Sequence, residues 1–211
     1  MTHIRNIVES DFEAIVALND AEVQQTSRMN LNRLRFLVQL SGYSKVVVIE
    51  NQVVAFVIAL REGALYENDN FRWFSARFPT FLYVDRIVVN AAFSGRGLGS
   101  QLYRDLFEFA RSQCVATVTC EYNIEPPNPA SQIFHDKFGF RELGTHWVAD
   151  GTKRVSLQAM WLRDAVEEIR HRSGRMDGRE CPKLRTVDHG RGEGSLSRWR
   201  GYLGVHRVTF A

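Results

Sequence analysis

The sequence predicts a mixed α/β domain over residues 1–163, in which hairpins and parallel crossovers build one sheet with helices on both faces. Three observations predict it. β-branched runs occur in pairs, SKVVVIE with QVVAFVIAL and FRELGTHWVA with TKRVSLQAMWL, each pair joined at hairpin spacing. Between the pairs, FLYVDRIVV and VATVTCEYN flank an amphipathic helical stretch, SQLYRDLFEFARSQ, as a parallel crossover requires. A chain of 211 residues that is 45% hydrophobic is also long enough to bury one sizeable core.

Taken in order, HIRNIVES reads as a short strand, and Ser10 followed by Glu13 is a capping-box signal opening a helix through about Asn19. The polar stretch DAEVQQTSRMN separates it from a second helix, LNRLRFLVQL. The first strand pair follows, with Glu50, Asn51 and Gln52 at its turn. ENDNFRWFSARFP is too aromatic for a solvated loop and suggests a short helix beside a site. Strict alternation along FLYVDRIVV puts Tyr83, Asp85, Ile87 and Val89 on one face and Arg86 on the other. The crossover helix places Leu102, Leu106, Phe107 and Ala110 on one face. Asn128 before Pro129 is an N-cap with proline at the first helical position, starting PASQIFHDKF, which stops at Gly139. Asp150 and Gly151 mark the last hairpin.

Beyond Trp161 the periodicity decays. Residues 164–211 hold seven of the fifteen glycines and ten Lys/Arg against seven acids, whereas residues 1–163 carry 17 of each sign. This basic, Gly/Arg-rich segment is expected to be largely disordered. It interleaves arginine with Trp199 and Tyr202, but its seven acids weigh against nucleic-acid binding. Cys114 and Cys120 share one short apolar run and cannot bridge without folding it back on itself, and with Cys181 alone in the tail no disulfide framework is expected. No window approaches 18 uninterrupted apolar residues, and the N-terminus lacks an apolar signal core. The expectation is a cytoplasmic protein without a membrane partner; a homodimer is compatible with the chain.

The stretch IVVNAAFSGRGLGSQLY clusters three glycines between a strand and a helix, the place where backbone N–H groups attract an anion. A dinucleotide-binding loop is one reading, since Gly95-x-Gly97-x-x-Ser100 is one substitution from that fingerprint. The connection from Asn90 to Ser94 is long for its tight turn, and Ser100 stands where the close-packing glycine belongs. No Gly-Lys-Ser/Thr follows, which excludes a Walker loop.

VVNAAFSGRGLGSQLYRDL resembles motif A of the GNAT superfamily of N-acetyltransferases, whose Arg/Gln-x-x-Gly-x-Gly/Ala loop falls here on Ser94, Gly95, Arg96, Gly97, Leu98 and Gly99. Ser94 replaces the Arg or Gln. A second signature, NPASQIFHDKFGF, resembles the family's Asn-x-x-Ala/Ser-x-x-x-Tyr-x-x-x-Gly-Phe: Asn128, Ser131, Gly139 and Phe140 match, and His135 takes the Tyr position. The resemblance in element order covers residues 3–162. It implies a mostly antiparallel sheet with one splayed parallel strand pair, and acetyl-CoA as acyl donor for an amine, without metal.

The resemblance also implies site residues. Ser94 to Ser100 would cradle the pyrophosphate, with Arg96 as the one cation in the loop. Unpaired backbone groups near Val88, Val89 and Asn90 would hold the pantetheine arm, and Asn128 and Ser131 would contact it. His135 is the candidate acid for the departing thiolate, as an imidazolium near neutral pH, or only a cofactor contact. Asp85 and Glu121 are the candidate bases. Tyr83, Arg72 and Trp73 are candidate substrate contacts, since an aromatic wall with an arginine suits a small acceptor. The rival to catalysis is an acyl-CoA-binding protein without turnover, motivated by Ser94 and by the missing Tyr.

Overall fold

The computed structural model describes residues 2–162; the expected 164–211 tail lies outside the described residues. Seven strands, β1 (Thr2–Asn6), β2 (Tyr43–Ile49), β3 (Gln52–Arg61), β4 (Leu82–Val89), β5 (Thr117–Glu125), β6 (Arg141–Val148) and β7 (Lys153–Trp161), form one sheet in the order β1-β2-β3-β4-β5-β7-β6. Only β4 and β5 run parallel; every other neighbouring pair is antiparallel. Five helices connect them: α1 (Phe12–Ala21), α2 (Leu31–Leu40), α3 (Asp69–Ser75), α4 (Leu98–Ser112) and α5 (Pro129–Lys137).

The hairpins form where turn chemistry allows. Glu50 and Asn51 both take positive φ, 49° and 62°, the geometry that lets a two-residue loop follow the twist of β2 and β3. At the β6–β7 turn Ala149, Asp150 and Gly151 do the same. The first helix starts differently from the capping-box expectation. Residues Glu9–Asp11 form a 3-10 turn, and it is Asp11 that receives the Val8 N–H at 2.9 Å while gripping the Arg5 guanidinium at 2.6 and 2.7 Å. That grip holds the Asp11 carboxyl below its ordinary range.

The apolar pattern buries both faces of the sheet. On one, Ile15 of α1, Leu34 and Leu37 of α2 and Phe71 and Phe74 of α3 pack against Phe56, Ile58, Tyr83 and Val88. On the other, Leu102, Leu106 and Ala110 of α4, with Phe140 after α5, cover Val57, Leu82, Val84 and Val118. The aromatic segment is thus a short helix, as expected, with Asn68 as its N-cap. No helix among the described residues is long and apolar enough to cross a membrane.

Candidate active site

The site begins with one extra residue in β4. Arg86 lies opposite Ile58 and Val84 opposite Ala59, so Asp85 is a β-bulge with no partner of its own on β3. The insertion inverts the faces expected from strict alternation. Beyond the bulge Val88 joins the core of α1–α3 together with Tyr83, whereas Ile87 and Val89 pack on the α4 side. Arg86 therefore shares a face with Tyr83, not the opposite one.

At the same place β4 parts from β5. Their parallel pairing ends at Val84 and Cys120, although β4 continues to Val89 and β5 to Glu125. On the β3 side, the Asn90 N–H donates to Val54 O at 2.8 Å, so the alternation of an antiparallel ladder commits Val88 to β3 and turns the N–H and C=O of Ile87 and Val89 into the gap. This corrects the expected set. Val88 spends its backbone on β3 and buries its side chain, and the group on the open side outside the expected set is Ile87. Asn90 is likewise committed: its N–H goes to β3, its carbonyl accepts from Phe93 and its side chain from Ala92.

A cleft of about 720 Å³ passes through this gap, bordered by Val84 and Ile87 on β4 and Cys120 to Asn123 on β5. After β4, outside the residues that line the cleft, Ala91–Phe93 make a 3-10 turn, then Gly95 and Gly97 take φ of 76° and 73°, values that favour glycine. Gly97 caps α4 without a side-chain bond, and the first carbonyl-bonded amide is that of Gln101, so the N–H groups of Leu98, Gly99 and Ser100 find no acceptor among the described residues. Gly99, not residue 100, is the close-packing glycine: a Cβ there would lie 3.2 Å from the Phe134 ring of α5. Ser94 and Arg96 are exposed, and the Arg96 guanidinium sits 4.8 Å over the Phe93 ring.

Asn128 caps α5 by accepting the Ser131 N–H at 3.0 Å, and both residues border the cleft. His135 is not solvated; it is 3% exposed, stacked on Tyr122 and ringed by Tyr103, Phe134 and Phe140. Its Nδ1 lies 2.7 Å from the Ser131 carbonyl, which can only accept, so the ring proton sits on Nδ1. Nε2 is then the acceptor for the Tyr103 hydroxyl at 2.9 Å. Burial pushes the His135 pKa down to about 4. The imidazolium expected near neutral pH is therefore not the resting form; His135 borders the cleft, and beside it so does Tyr103, which the sequence reading missed. A tyrosine on the buried stripe of α4, one turn beyond Gly99, was the available signal.

On the other side of the gap the lining is charged. The Asp85 carboxylate accepts from Arg86 Nε at 2.7 Å and from the Tyr66 hydroxyl, and both members of the ion pair are nearly solvent-free. Glu121 Oε1 accepts from the Tyr83 hydroxyl at 2.8 Å. Burial, opposed by the Tyr83 hydroxyl and reinforced by the charge of Asp85, pushes the Glu121 pKa up to about 8. Its Oε2 and the Oδ1 of Asn70 are buried without a hydrogen-bond partner among the described residues, which a neutral carboxyl tolerates better than a carboxylate.

The expected substrate contacts divide. Arg72 borders the cleft, exposed and paired with Asp69 at 2.8 Å. Tyr83 is fully buried behind Glu121 and does not border it. Trp73 packs against the core of α1–α3 under the Arg77 guanidinium, 3.5 Å away, and is also off the cleft. Aromatic residues in this segment are core, as their size and apolar area favour. No cluster of three or more metal-ligating side chains occurs among the described residues.

The profile of the Acetyltransferase (GNAT) family matches residues 2–140. No curated protein matches the chain by sequence. Among solved structures, Ard1 from Thermoplasma volcanium superposes with a TM-score of 0.63 at 16% identity, over 76% of this chain and 97% of its own. The ribosomal-protein-alanine N-acetyltransferase from Brucella melitensis gives 0.59 at 24% identity, over 76% and 99%. The yncA protein from Salmonella typhimurium, solved with its cofactor acetyl-CoA, gives 0.58 at 22% identity, over 77% and 94%. At these identities the likeness is one of fold.

Proposed function

The chain belongs to the GNAT acetyltransferase family, and from that membership we propose that it is an acetyl-CoA-dependent N-acetyltransferase passing acetyl directly to an amine of a small molecule or peptide. The observation that carries this reading is the cleft through the β4–β5 gap, with uncommitted backbone groups on one side and a titratable carboxyl on the other.

The chain fits acetyl-CoA on three counts. The free N–H groups of Leu98, Gly99 and Ser100, at the positive end of a fifteen-residue helix, would receive the pyrophosphate, with Arg96 adding charge. Space beyond Gly95 and Gly97 is open, with nothing within 4 Å of a Cβ at either. Ile87 and Val89 would hold the pantetheine arm as a neighbouring strand would. When bound, acetyl-CoA supplies an activated thioester.

The remaining chemistry falls to the backbone of β4 and to three side chains. A backbone N–H of Ile87 or Val89 is the donor for a developing oxyanion. Glu121 takes the amine proton when it is ionised, because Asp85 is already engaged by Arg86 and Tyr66. Tyr103 holds the proton nearest the α4 side of the gap, and His135 orients its hydroxyl. No metal is assigned a role.

A second reading, an acyl-CoA-binding protein without turnover, is favoured by one observation: His135 is neutral and both its nitrogens are engaged. Purified protein with acetyl-CoA and a panel of amines, including an N-terminal alanine peptide in view of the ribosomal-protein-alanine neighbour, separates the two. Acceptor-dependent release of CoA thiol is expected. Acetyl-CoA binding without thiol release for any acceptor would establish the second reading.

A further inference from the structure

Within the segment Gln24–Ser27, between α1 and α2, Gln25, Thr26 and Ser27 form a wall of the same cleft that Asp85 and Glu121 line. The segment has no regular secondary structure, yet each of its four carbonyls accepts from a side chain of another element. Lys153 Nζ of β7 donates to Gln24 O at 2.7 Å and Thr26 O at 3.0 Å. Asn123 Nδ2 of β5 donates to Gln24 O at 3.2 Å and Gln25 O at 3.4 Å. Asn19 Nδ2 of α1 donates to Ser27 O at 2.9 Å. Arg86 of β4 completes the set, with Nη1 donating to Asn19 Oδ1 at 2.8 Å and Nη2 lying 3.4 Å from Ser27 Oγ.

Arg86 reaches this segment only because of the bulge at Asp85; without the inserted residue its side chain would point to the α4 face. The same insertion that accompanies the gap thus turns a buried guanidinium onto the acceptor wall. Asn19, Arg86 and Asn123 are all at least nine-tenths buried, so their donors have no water to fall back on, and losing a partner leaves a desolvated group unpaired.

We propose that Arg86, Asn123 and Lys153 are positioning residues that fix Gln24–Ser27 to the strands bordering the gap, so that acceptor affinity is set by sheet geometry while the acetyl-CoA side is untouched. The inference rests on the acetyl-transfer reading for its consequence in KM, but the fixing of the segment stands independently of it.

Two variants of the whole protein test it. Lys153→Met removes one staple from a half-buried position, and Arg86→Lys keeps the charge beside Asp85 while losing the planar fork. Three measurements apply to each: hydrogen exchange of peptides covering residues 22–29, calorimetric affinity for acetyl-CoA, and kcat and KM for the best amine of the panel. Exchange in that segment is expected to rise by on the order of tenfold. Acceptor KM should rise by roughly tenfold with kcat within about threefold, as loss of uniform binding predicts, and acetyl-CoA affinity should not change. Unchanged exchange in both variants overturns the proposal, as does a parallel loss of acetyl-CoA affinity or a fall in kcat at constant KM. If the wild-type protein turns over no amine, the acetyl-transfer reading fails and the exchange result alone decides the positioning role.

Discussion

On each side of the β4–β5 gap one buried group has its titration moved toward the neutral form, His135 on one and Glu121 on the other, and the cause is the same. On the α4 side burial lowers the His135 pKa to about 4; on the other it raises that of Glu121 to about 8. Desolvation disfavours whichever form carries charge, so it moves a base and an acid in opposite directions. Between those values both groups are neutral. The α4 side is otherwise built from backbone and aromatic rings, the opposite side from the Asp85–Arg86 ion pair and its neighbours; on the proposed reading the first binds cofactor and the second, the acceptor side, exchanges protons.

The largest effect expected from breaking this arrangement is at Glu121. If ionised Glu121 takes the amine proton, kcat/KM should climb with pH through about 8 and level off above it. Glu121→Gln should lower kcat by roughly a hundredfold or more and abolish that limb. The stability consequence has the opposite sign. A carboxyl whose folded pKa lies above its ordinary 4.5 binds more protons folded than unfolded, so wild-type stability falls as pH rises from about 4.5 to 8. The glutamine variant escapes that loss and should melt a few degrees higher at pH 8, by roughly 2–4 °C per kcal/mol. A variant with full activity, or one less stable at pH 8 than wild type, would remove Glu121 from the role of base held neutral.

A smaller effect is expected at His135. Its folded pKa lies below the ordinary 6.5, so the unfolded chain binds more protons, and stability falls as pH drops from about 6.5 toward 4. His135→Gln, which can still accept from Tyr103, should flatten that acid limb by on the order of 2 kcal/mol across the window. The readout is the slope of melting temperature against pH, since lost stacking on Tyr122 lowers stability equally at every pH. An unchanged slope would mean that His135 is not the group titrating there.

The two sides also differ in how much of them the sequence exposes. The α4 side is legible because its geometry demands particular residues: positive φ at Gly95 and Gly97, close approach at Gly99, a side-chain cap at Asn128 before Pro129. The acceptor side turns on the bulge at Asp85, and an extra residue in a ladder leaves no residue-type signature. Counting by twos therefore put Arg86 on the wrong face, and the resemblance, which fixed the open backbone only as near Val88 to Asn90, could not show that Ile87 rather than Val88 faces the gap. His135 was misjudged for another reason. Its burial is made by Tyr103, Tyr122 and Phe140 from three other segments, and no local window contains them. Ser10 and Glu13 match a capping box by spacing, but Ser10 lies inside the 3-10 turn Glu9–Asp11, and the contact forms earlier in the chain, where Asp11, gripped by Arg5, accepts the Val8 N–H.

The smallest effect tests whether the α4 side binds through backbone alone. Arg96 is exposed, makes no ion pair among the described residues, and rests on the Phe93 ring, so its charge is available but screened by water. A solvated cation near a phosphate contributes far less than amides fixed at a helix N-terminus, where the N–H groups of Leu98, Gly99 and Ser100 have no competing acceptor among the described residues. Arg96→Ala should therefore weaken acetyl-CoA binding only about three- to tenfold at low salt, with the difference from wild type shrinking as ionic strength rises. A loss of a hundredfold or more, insensitive to salt, would make Arg96 the principal phosphate ligand and reduce the glycine loop to a hinge that aims it. No change at any salt concentration would leave the backbone amides and the helix dipole as the whole of the cradle, which is the arrangement that a serine at position 94 permits.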